Sequence, residues 1–337
     1  ARSRLQLQHL WERSLTVPEH SNQQDKNPPL FAIGGENLID HVTNDGQVTA
    51  RVGGSPFNVA MGLGRQGANV RYISPISNDP WGGKLAAGLE DAGVNLTGSR
   101  VNLPTTMARV EITDGIPSYR FEREGTAERD ITFEGLVDQL TEASALHTGS
   151  LTLTKGDDAG IWERVLSYAF DAGLFVSLDP NVRMSVIEDI QNYRERIFRI
   201  VEKVSMIKLS DEDLADLYPD QSLDDALCQL SQHSSAALIV LTMGPLGALA
   251  ITKHHRVQVD AAPVENLMDA IGAGDTFAAT LLMSLSEMDC LSSEGINAAT
   301  EDEVRSLLTQ ASVAAAINCG REGCDPPTRE ELMETVL

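Results

Sequence analysis

LMDAIGAGDTFAATLLMSL, residues 267–285, joins a glycine-rich turn to an apolar helix. Phe277, Leu281 and Leu285 recur every four residues, with Leu282 beside them, so one helical face is apolar. The helix starts near Gly272 or Ala273. Its first N–H groups lack partners inside the helix, and the macrodipole makes the space before them attractive to anions. Gly272 and Gly274 carry no Cβ, so a bulky anion such as a phosphate can come close. Asp275 follows in the first turn. It either complements the dipole, as many first-turn acids do, or it works beside an anion hole. In the second case the amides of Gly272, Ala273 and Gly274 hold charge on a moving phosphoryl group, and Asp275 takes a proton from an attacking hydroxyl.

The rest of the chain bounds these readings. Its 337 residues allow one large domain or two modest ones, and 42% hydrophobic content supports a sizeable core. The 49 acids against 26 bases give a net charge of −23, which disfavours nucleic acid or an anionic membrane as partner. It does not bar an anionic nucleotide from a locally positive pocket. Cys228, Cys290, Cys319 and Cys324 are too few for a disulfide scaffold and form no zinc set, so reduced thiols and a cytoplasmic location are expected. No apolar run reaches membrane-spanning length. Asn95-Leu96-Thr97 fits a glycosylation sequon, discounted because no secretion signal is evident.

Residues 1–29 differ in character from the remainder of the chain. LQLQHLWERSL (5–15) suits a short amphipathic helix, and SNQQDKNPP (21–29) is a polar, proline-ended linker; the segment is treated as an extension of unknown role. From residue 30 onward strands and helices alternate. LFAIGG (30–35) reads as a buried strand. SPFNVAMGLGRQG (55–67) reads as a helix with Ser55 as N-cap, Pro56 at the first position and Gly67 as its stop. NVRYIS is a strand, and Asp79 caps the next helix. The rhythm then breaks at TTMARVEIT and YRFERE, which read as a β-hairpin. Alternation resumes to the end of the chain, with a second strand pair, GALAIT and RVQVD, before residue 267. The pattern predicts an α/β fold with a mostly parallel central sheet and helices on both faces. The hairpin is a candidate lid over the site.

Gly62, Gly64 and Gly67 spell G-x-G-x-x-G, but a dinucleotide fingerprint follows a strand directly and opens a helix. These glycines end a helix already begun at Pro56, so packing and a helix stop explain them better. Ligands of open α/β sheets bind beyond the carboxyl ends of the strands. Asp40, Gly53-Gly54, Asp179-Asn181-Arg183, Lys208-Ser210, Thr242-Gly244-Gly247 and the 269–275 segment all fall just after predicted strands. Each alone is a plausible turn or cap.

GGSPFNVAMGLGRQGANV (53–70) and MDAIGAGDTFAATLL (268–282) together resemble the two signatures of the ribokinase-like (PfkB-type) carbohydrate kinases, over residues 30–337. GENLID, DPNVR, TMGPLG and AAAINCGREGCDPP add to the resemblance. It implies a three-layer sandwich with a mostly parallel central sheet and a small β lid, built from about 40–52 and 104–131. It implies that Asp275 is the general base, with Gly272, Ala273 and Gly274 as the anion hole. Asp40, Gly54 and Asn58 would contact the sugar; Arg123 and Arg183 would bind a sugar hydroxyl or phosphate, or serve as surface charges. Lys208, Ser210, Thr242, Gly244 and Gly247 would flank ATP, and Asn318 would line the adenine pocket or cap its helix. The implied cofactors are ATP and Mg2+, with a K+ site near Asp269.

Two departures bear on the ions. Ala270 replaces the family's threonine, which leaves K+ activation open. The family's N-x-x-E segment reads Ser210-Asp211-Glu212-Asp213, so magnesium handling through Asp213 is in question and Glu212 is the acid available to compensate. YRFEREGTAERDIT and NCGREGCDPP most resemble bacterial fructokinases, so D-fructose is the expected substrate. 2-Keto-3-deoxygluconate kinase and ribokinase are the alternatives. A catalytically inactive sugar- or nucleotide-binding regulator and a dinucleotide-dependent oxidoreductase are the readings from other classes. A homodimer through the lid is one assembly the resemblance allows.

Overall fold

The computed structural model describes residues 28–44, 47–113 and 116–336. The helix expected at 5–15, and the linker expected at 21–29 except for its last two residues, lie outside them. Along the chain come β1 (Leu30–Ile33), β2 (Leu38–Asn44), β3 (Gln47–Gly53), α1 (Ser55–Arg65), β4 (Asn69–Tyr72) and β5 (Ile76–Ser77). Next are α2 (Pro80–Asp91), β6 (Asn95–Leu96), β7 (Arg100–Val101), β8 (Thr106–Thr113), β9 (Ile116–Glu122) and α3 (Phe133–Asp138). The middle holds β10 (Ala145–Gly149), α4 (Asp157–Asp171), β11 (Phe175–Asp179), α5 (Ile190–Val201), β12 (Met206–Ser210), α6 (Asp211–Leu217) and α7 (Leu223–His233). Then follow β13 (Leu238–Thr242), β14 (Ala248–Ile251), β15 (Arg256–Val259), α8 (Ala273–Glu287), α9 (Ser293–Ala298), α10 (Glu301–Cys319) and α11 (Arg329–Val336).

The main sheet runs in the order β15-β14-β13-β12-β11-β10-β1-β4-β6. Its pairs are parallel except β13 with β14 and β14 with β15. Side chains alternate along each strand, and both faces are apolar, as a sheet covered on both sides requires. Phe175, Met206, Leu238 and Val240 face a core shared with α1, α8 and α10. Val176, Leu178, Ile207, Leu209, Ile239 and Leu241 face the other, against α4, α5 and α7. This is the three-layer arrangement expected of the alternating pattern.

The second sheet has the order β3-β2-β8-β9. β2 and β8 pair in parallel, so two hairpins lie side by side. The break in the strand–helix rhythm thus reflects strands that leave the main sheet.

The chain order reverses between β1 and its two neighbours, β4 and β10. Such a switch point opens a crevice at the carboxyl edge, and β2, α1 and the loop after β11 all begin there. The G-x-G-x-x-G run does no ligand work. A Cβ on Gly62 would lie 2.9 Å from the Ala279 methyl, one on Gly64 would lie 2.4 Å from the Ala92 carbonyl, and Gly67 takes φ +84° just after α1. The first two let α1 pack closely, and the third ends it.

Candidate active site

The N-termini of α1 and α8 converge. Gly54, not Ser55, is the N-cap of α1, with φ +114°. A Cβ there would meet the Glu36 carbonyl at 2.4 Å, so glycine is required on two counts. Ser55 is the first helical residue, and its hydroxyl, freed from capping, donates to Oδ1 of Asp275 at 2.7 Å. One turn on, Asn58 Nδ2 donates to Oδ2 of Asp275, also at 2.7 Å. Glu36 fixes this corner from behind. Its Oε1 accepts the Ser55 N–H at 3.2 Å, and its Oε2 accepts the Thr152 hydroxyl at 2.8 Å.

Asp275 lies in the first turn of α8, behind Gly272, whose φ of +74° turns the chain into the helix. A Cβ on Gly272 would lie 2.3 Å from Cys324 Sγ, and one on Gly274 would lie 2.9 Å from Lys208 Nζ. Lys208 therefore sits directly beside the amides that open α8. It is buried and pairs with Asp179 at 2.9 Å. Burial opposes its charge, but Asp179, Asp213 and Asp275 hold its pKa above the ordinary value. A permanent cation thus underlies the turn.

The acids here are hard to ionise. Burial pushes the Asp275 carboxyl up, and the bonds from Asn58 and Ser55, with Lys208 and Arg183, pull it back. Burial and then the Asp275 charge raise Asp40 to about 6, against Arg183 and Arg51. Burial raises Asp179 to about 6, against Lys208. Asp40, Arg183 and Asp275 thus feel one another's charge across one crevice. Arg183 is exposed there, and its Nη1 donates to its neighbour's carbonyl, Val182 O, at 3.1 Å.

Other expected site residues are engaged elsewhere. Arg123 is buried, and its guanidinium donates to both carboxylate oxygens of Glu128 and to the Leu151 carbonyl, with Asp158 3.6 Å away. It braces the end of β9 against the main sheet rather than presenting donors to a ligand. Asn318 is wholly buried; its Nδ2 donates to the Ile271 carbonyl at 2.8 Å and its Oδ1 accepts the Asp325 N–H at 2.9 Å. It ties two loops together and exposes no surface to an adenine; the α10 C-cap is Gly320. Ser210 and Asp213 form a reciprocal capping box at α6, and the second Asp213 oxygen accepts the Val182 N–H at 2.6 Å. Both Asp213 oxygens thus serve backbone donors, and no group of three or more His, Cys, Asp or Glu placed to hold a metal occurs among the described residues. Asp213, with both oxygens committed to backbone donors, is therefore a structural cap rather than a free magnesium ligand.

Thr242, Gly244 and Gly247 form the turn between β13 and β14, at the same carboxyl edge. Gly244 has φ +51° and Gly247 φ +91°, and a Cβ on Gly247 would overlap the Val259 carbonyl. Leu246, in this turn, is exposed, as are Leu267, Met268 and Ile271 in the loop before α8. Sequence reasoning missed Ser55 as a partner of the aspartate, and it missed Glu36 and Arg51. The only local signal for Ser55 was its position one residue after Gly53-Gly54.

Of the three amides expected to form the anion hole, the Ala273 N–H is already engaged, donating to the Ala270 carbonyl at 3.2 Å, which leaves those of Gly272 and Gly274. A helix mouth with these amides, an underlying ammonium and a buried carboxylate held by two donors is equipped to move a phosphoryl group onto a hydroxyl. Comparison with known proteins agrees. The model of the pfkB family carbohydrate kinases matches residues 36–331. A fructokinase of Rhizobium leguminosarum bv. trifolii is 35% identical over 283 residues, 82% of this chain and 83% of the relative. The crystal structure of a fructokinase with bound ATP from Xylella fastidiosa superposes with a TM-score of 0.83 at 25% identity, over 91% of this chain and 98% of that one. A fructokinase double mutant from Vibrio cholerae O395, with fructose, ADP and potassium ion bound, superposes with a TM-score of 0.78 at 23% identity, over 93% and 100%.

Proposed function

The chain belongs to the pfkB family of carbohydrate kinases, and from that membership and the site geometry we propose that it is an ATP-dependent fructokinase with Asp275 as general base. The observation that carries the mechanism is the pair of hydrogen bonds from Ser55 and Asn58 to Asp275. They leave the carboxylate one orientation, at the mouth of α8. A sugar hydroxyl placed there gives its proton to Asp275 as its oxygen bonds the γ-phosphorus. The bond from phosphorus to the β,γ-bridging oxygen breaks, and ADP leaves with those electrons. Amides of Gly272 and Gly274 hold the equatorial oxygens, the Ala273 N–H closes the turn onto the Ala270 carbonyl, and Lys208 adds positive charge from beneath.

Asp40, Gly54, Asn58 and Arg183 are the sugar-side residues, and Thr242, Gly244 and Gly247 flank the nucleotide. Ser210 shapes the loop between the two halves. Magnesium enters with ATP as the metal–nucleotide substrate. The β3-β2-β8-β9 sheet acts as the lid of a single kinase domain spanning 30–337, and its edge strands are the surface through which a homodimer would form. A cytoplasmic location suits the acidic chain with its few thiols. No helix among the described residues is long and apolar enough to cross a membrane.

Fructose is favoured because the Rhizobium relative, 35% identical over 82% of this chain, and the Xylella structure, superposed over 91% of it, are fructokinases. Exposed Arg183, beside Asp40, makes a carboxylate-bearing sugar acid the substrate to test against it. A coupled ADP-release assay across fructose, ribose and 2-keto-3-deoxygluconate decides. Fructose is expected to give the highest kcat/KM. Preferential turnover of another sugar would reassign the substrate, and absence of sugar-dependent turnover would leave a binding protein on a kinase fold.

A further inference from the structure

The family resemblance places a monovalent cation at the loop of Asp269, but the groups present do not fit one. Asp269 Oδ1 accepts the Ile271 N–H at 2.9 Å. Its Oδ2 accepts the Gly323 N–H at 3.1 Å and Nη1 of Arg51 at 3.3 Å. The nearby carbonyls are also engaged: Ile271 O accepts from Asn318, and Cys319 O accepts the N–H groups of Met268 and Asp269. Arg51 Nη2 donates to Glu322 Oε1, so one guanidinium bridges the loop before α8 and the loop after α10. Its stem passes Gly323, where a Cβ would come within 3.3 Å of Arg51 Cδ. A potassium ion on Asp269 would have to displace this guanidinium or sit against its charge.

We propose that Arg51 takes the place of the monovalent cation. It neutralises Asp269 and pins the 269–274 loop, so the amides ahead of Asp275 stay in place without K+. Arg51 lies on β3 of the small sheet, directly across from Asp40 on β2. The charge is therefore delivered by the lid: the sheet that carries sugar-side Asp40 also locks the phosphate-side loop. Arg51 acts through that loop and is a positioning residue. A guanidinium suits the task because its fork bridges two carboxylates at once, which a spherical ion or an ammonium does less well.

The inference rests on the phosphoryl-transfer reading of this loop. It is tested by initial rates of ADP release for wild type and Arg51→Met, in KCl and in tetramethylammonium chloride at equal ionic strength. Wild type is expected to run equally fast in both salts. R51M is expected to slow about tenfold in tetramethylammonium, the scale of one lost hydrogen bond to a charged group, and to recover saturably with K+. The thermal midpoint of each unliganded protein gives a second readout: K+ is expected to leave wild type unmoved and to raise R51M. Saturable activation or stabilisation of wild type by K+ overturns the proposal, whether or not R51M folds. So does an R51M that is equally fast, or equally slow, in both salts. If no sugar is turned over, the kinase reading fails while the thermal readout still decides the cation question.

Discussion

Ser55 donates its hydroxyl to Oδ1 of Asp275 at 2.7 Å, while Asn58 holds the other oxygen. Both donors favour the charged carboxylate, so removing one raises its pKa further, leaves less of it ionised and loosens its aim. Ser55→Ala is expected to lower kcat about 10- to 100-fold, the range for one hydrogen bond to a charged acceptor, and to move the acid limb of the rate profile to higher pH. A kcat unchanged by S55A would show that Asn58 alone orients the base.

Asp275→Asn keeps shape and hydrogen-bonding size but cannot take a proton. Its kcat should fall about 10²- to 10⁴-fold, the usual contribution of a general base. ATP affinity, measured by calorimetry, should be retained. Near-normal turnover in D275N would remove Asp275 from the chemistry.

The raised carboxyls give activity and stability opposite slopes with pH. Asp40 titrates at about 6 in the folded chain against 3.8 for a free aspartate, and Asp275 is raised too. The stability these groups contribute is fully present below about 3.8 and is lost as pH rises through their folded values. The proposed base, Asp275, works only when ionised, so kcat/KM should rise with pH above the ordinary aspartate range, in the direction in which the ligand-free protein loses this part of its stability. Denaturant titrations and rates across about pH 4.5–7.5, a window set around these values, check both slopes. A rate that stays flat down to the ordinary aspartate range would refute the raised base.

Arg123 and Glu128 form a buried pair, with side chains 8% and 2% exposed. Breaking such a pair strands a charge, at a cost of about 3–5 kcal/mol. Arg123→Met should lower the melting temperature while leaving KM for sugar nearly unchanged in the folded fraction. A normal melting temperature with a large rise in KM would return Arg123 to the sugar site.

Much of the fold was legible because its signals are local. Asp79 before Pro80 marked a helix start, and its side chain accepts the Gly82 N–H at 2.7 Å. The proposed base and anion hole drew notice for the same reason, since glycines and an acid share one helix turn. Partners across the chain were not. Ser55 reads as an N-cap by every local rule, and only α8 packed beside α1 shows its hydroxyl turned toward Asp275. Arg123 and Asn318 looked like ligand donors because nothing near them in sequence, short of the folded loops, shows that Glu128, Leu151, Ile271 and Asp325 occupy them. Arg51 drew no notice because its meaning depends on a strand register and on loops more than 200 positions away.

Helix α8 has a last consequence, for biosynthesis. A ribosome-bound chain that has emerged as far as β12 already carries Asp40, Ser55, Asn58 and Lys208, yet it lacks the proposed proton acceptor, because Asp275 is still to be made. Closing α1 onto α8 is a late, long-range event that topology makes slow. On the proposed assignment, turnover therefore requires synthesis through α8, and a product terminated before Asp275 lacks its proton acceptor.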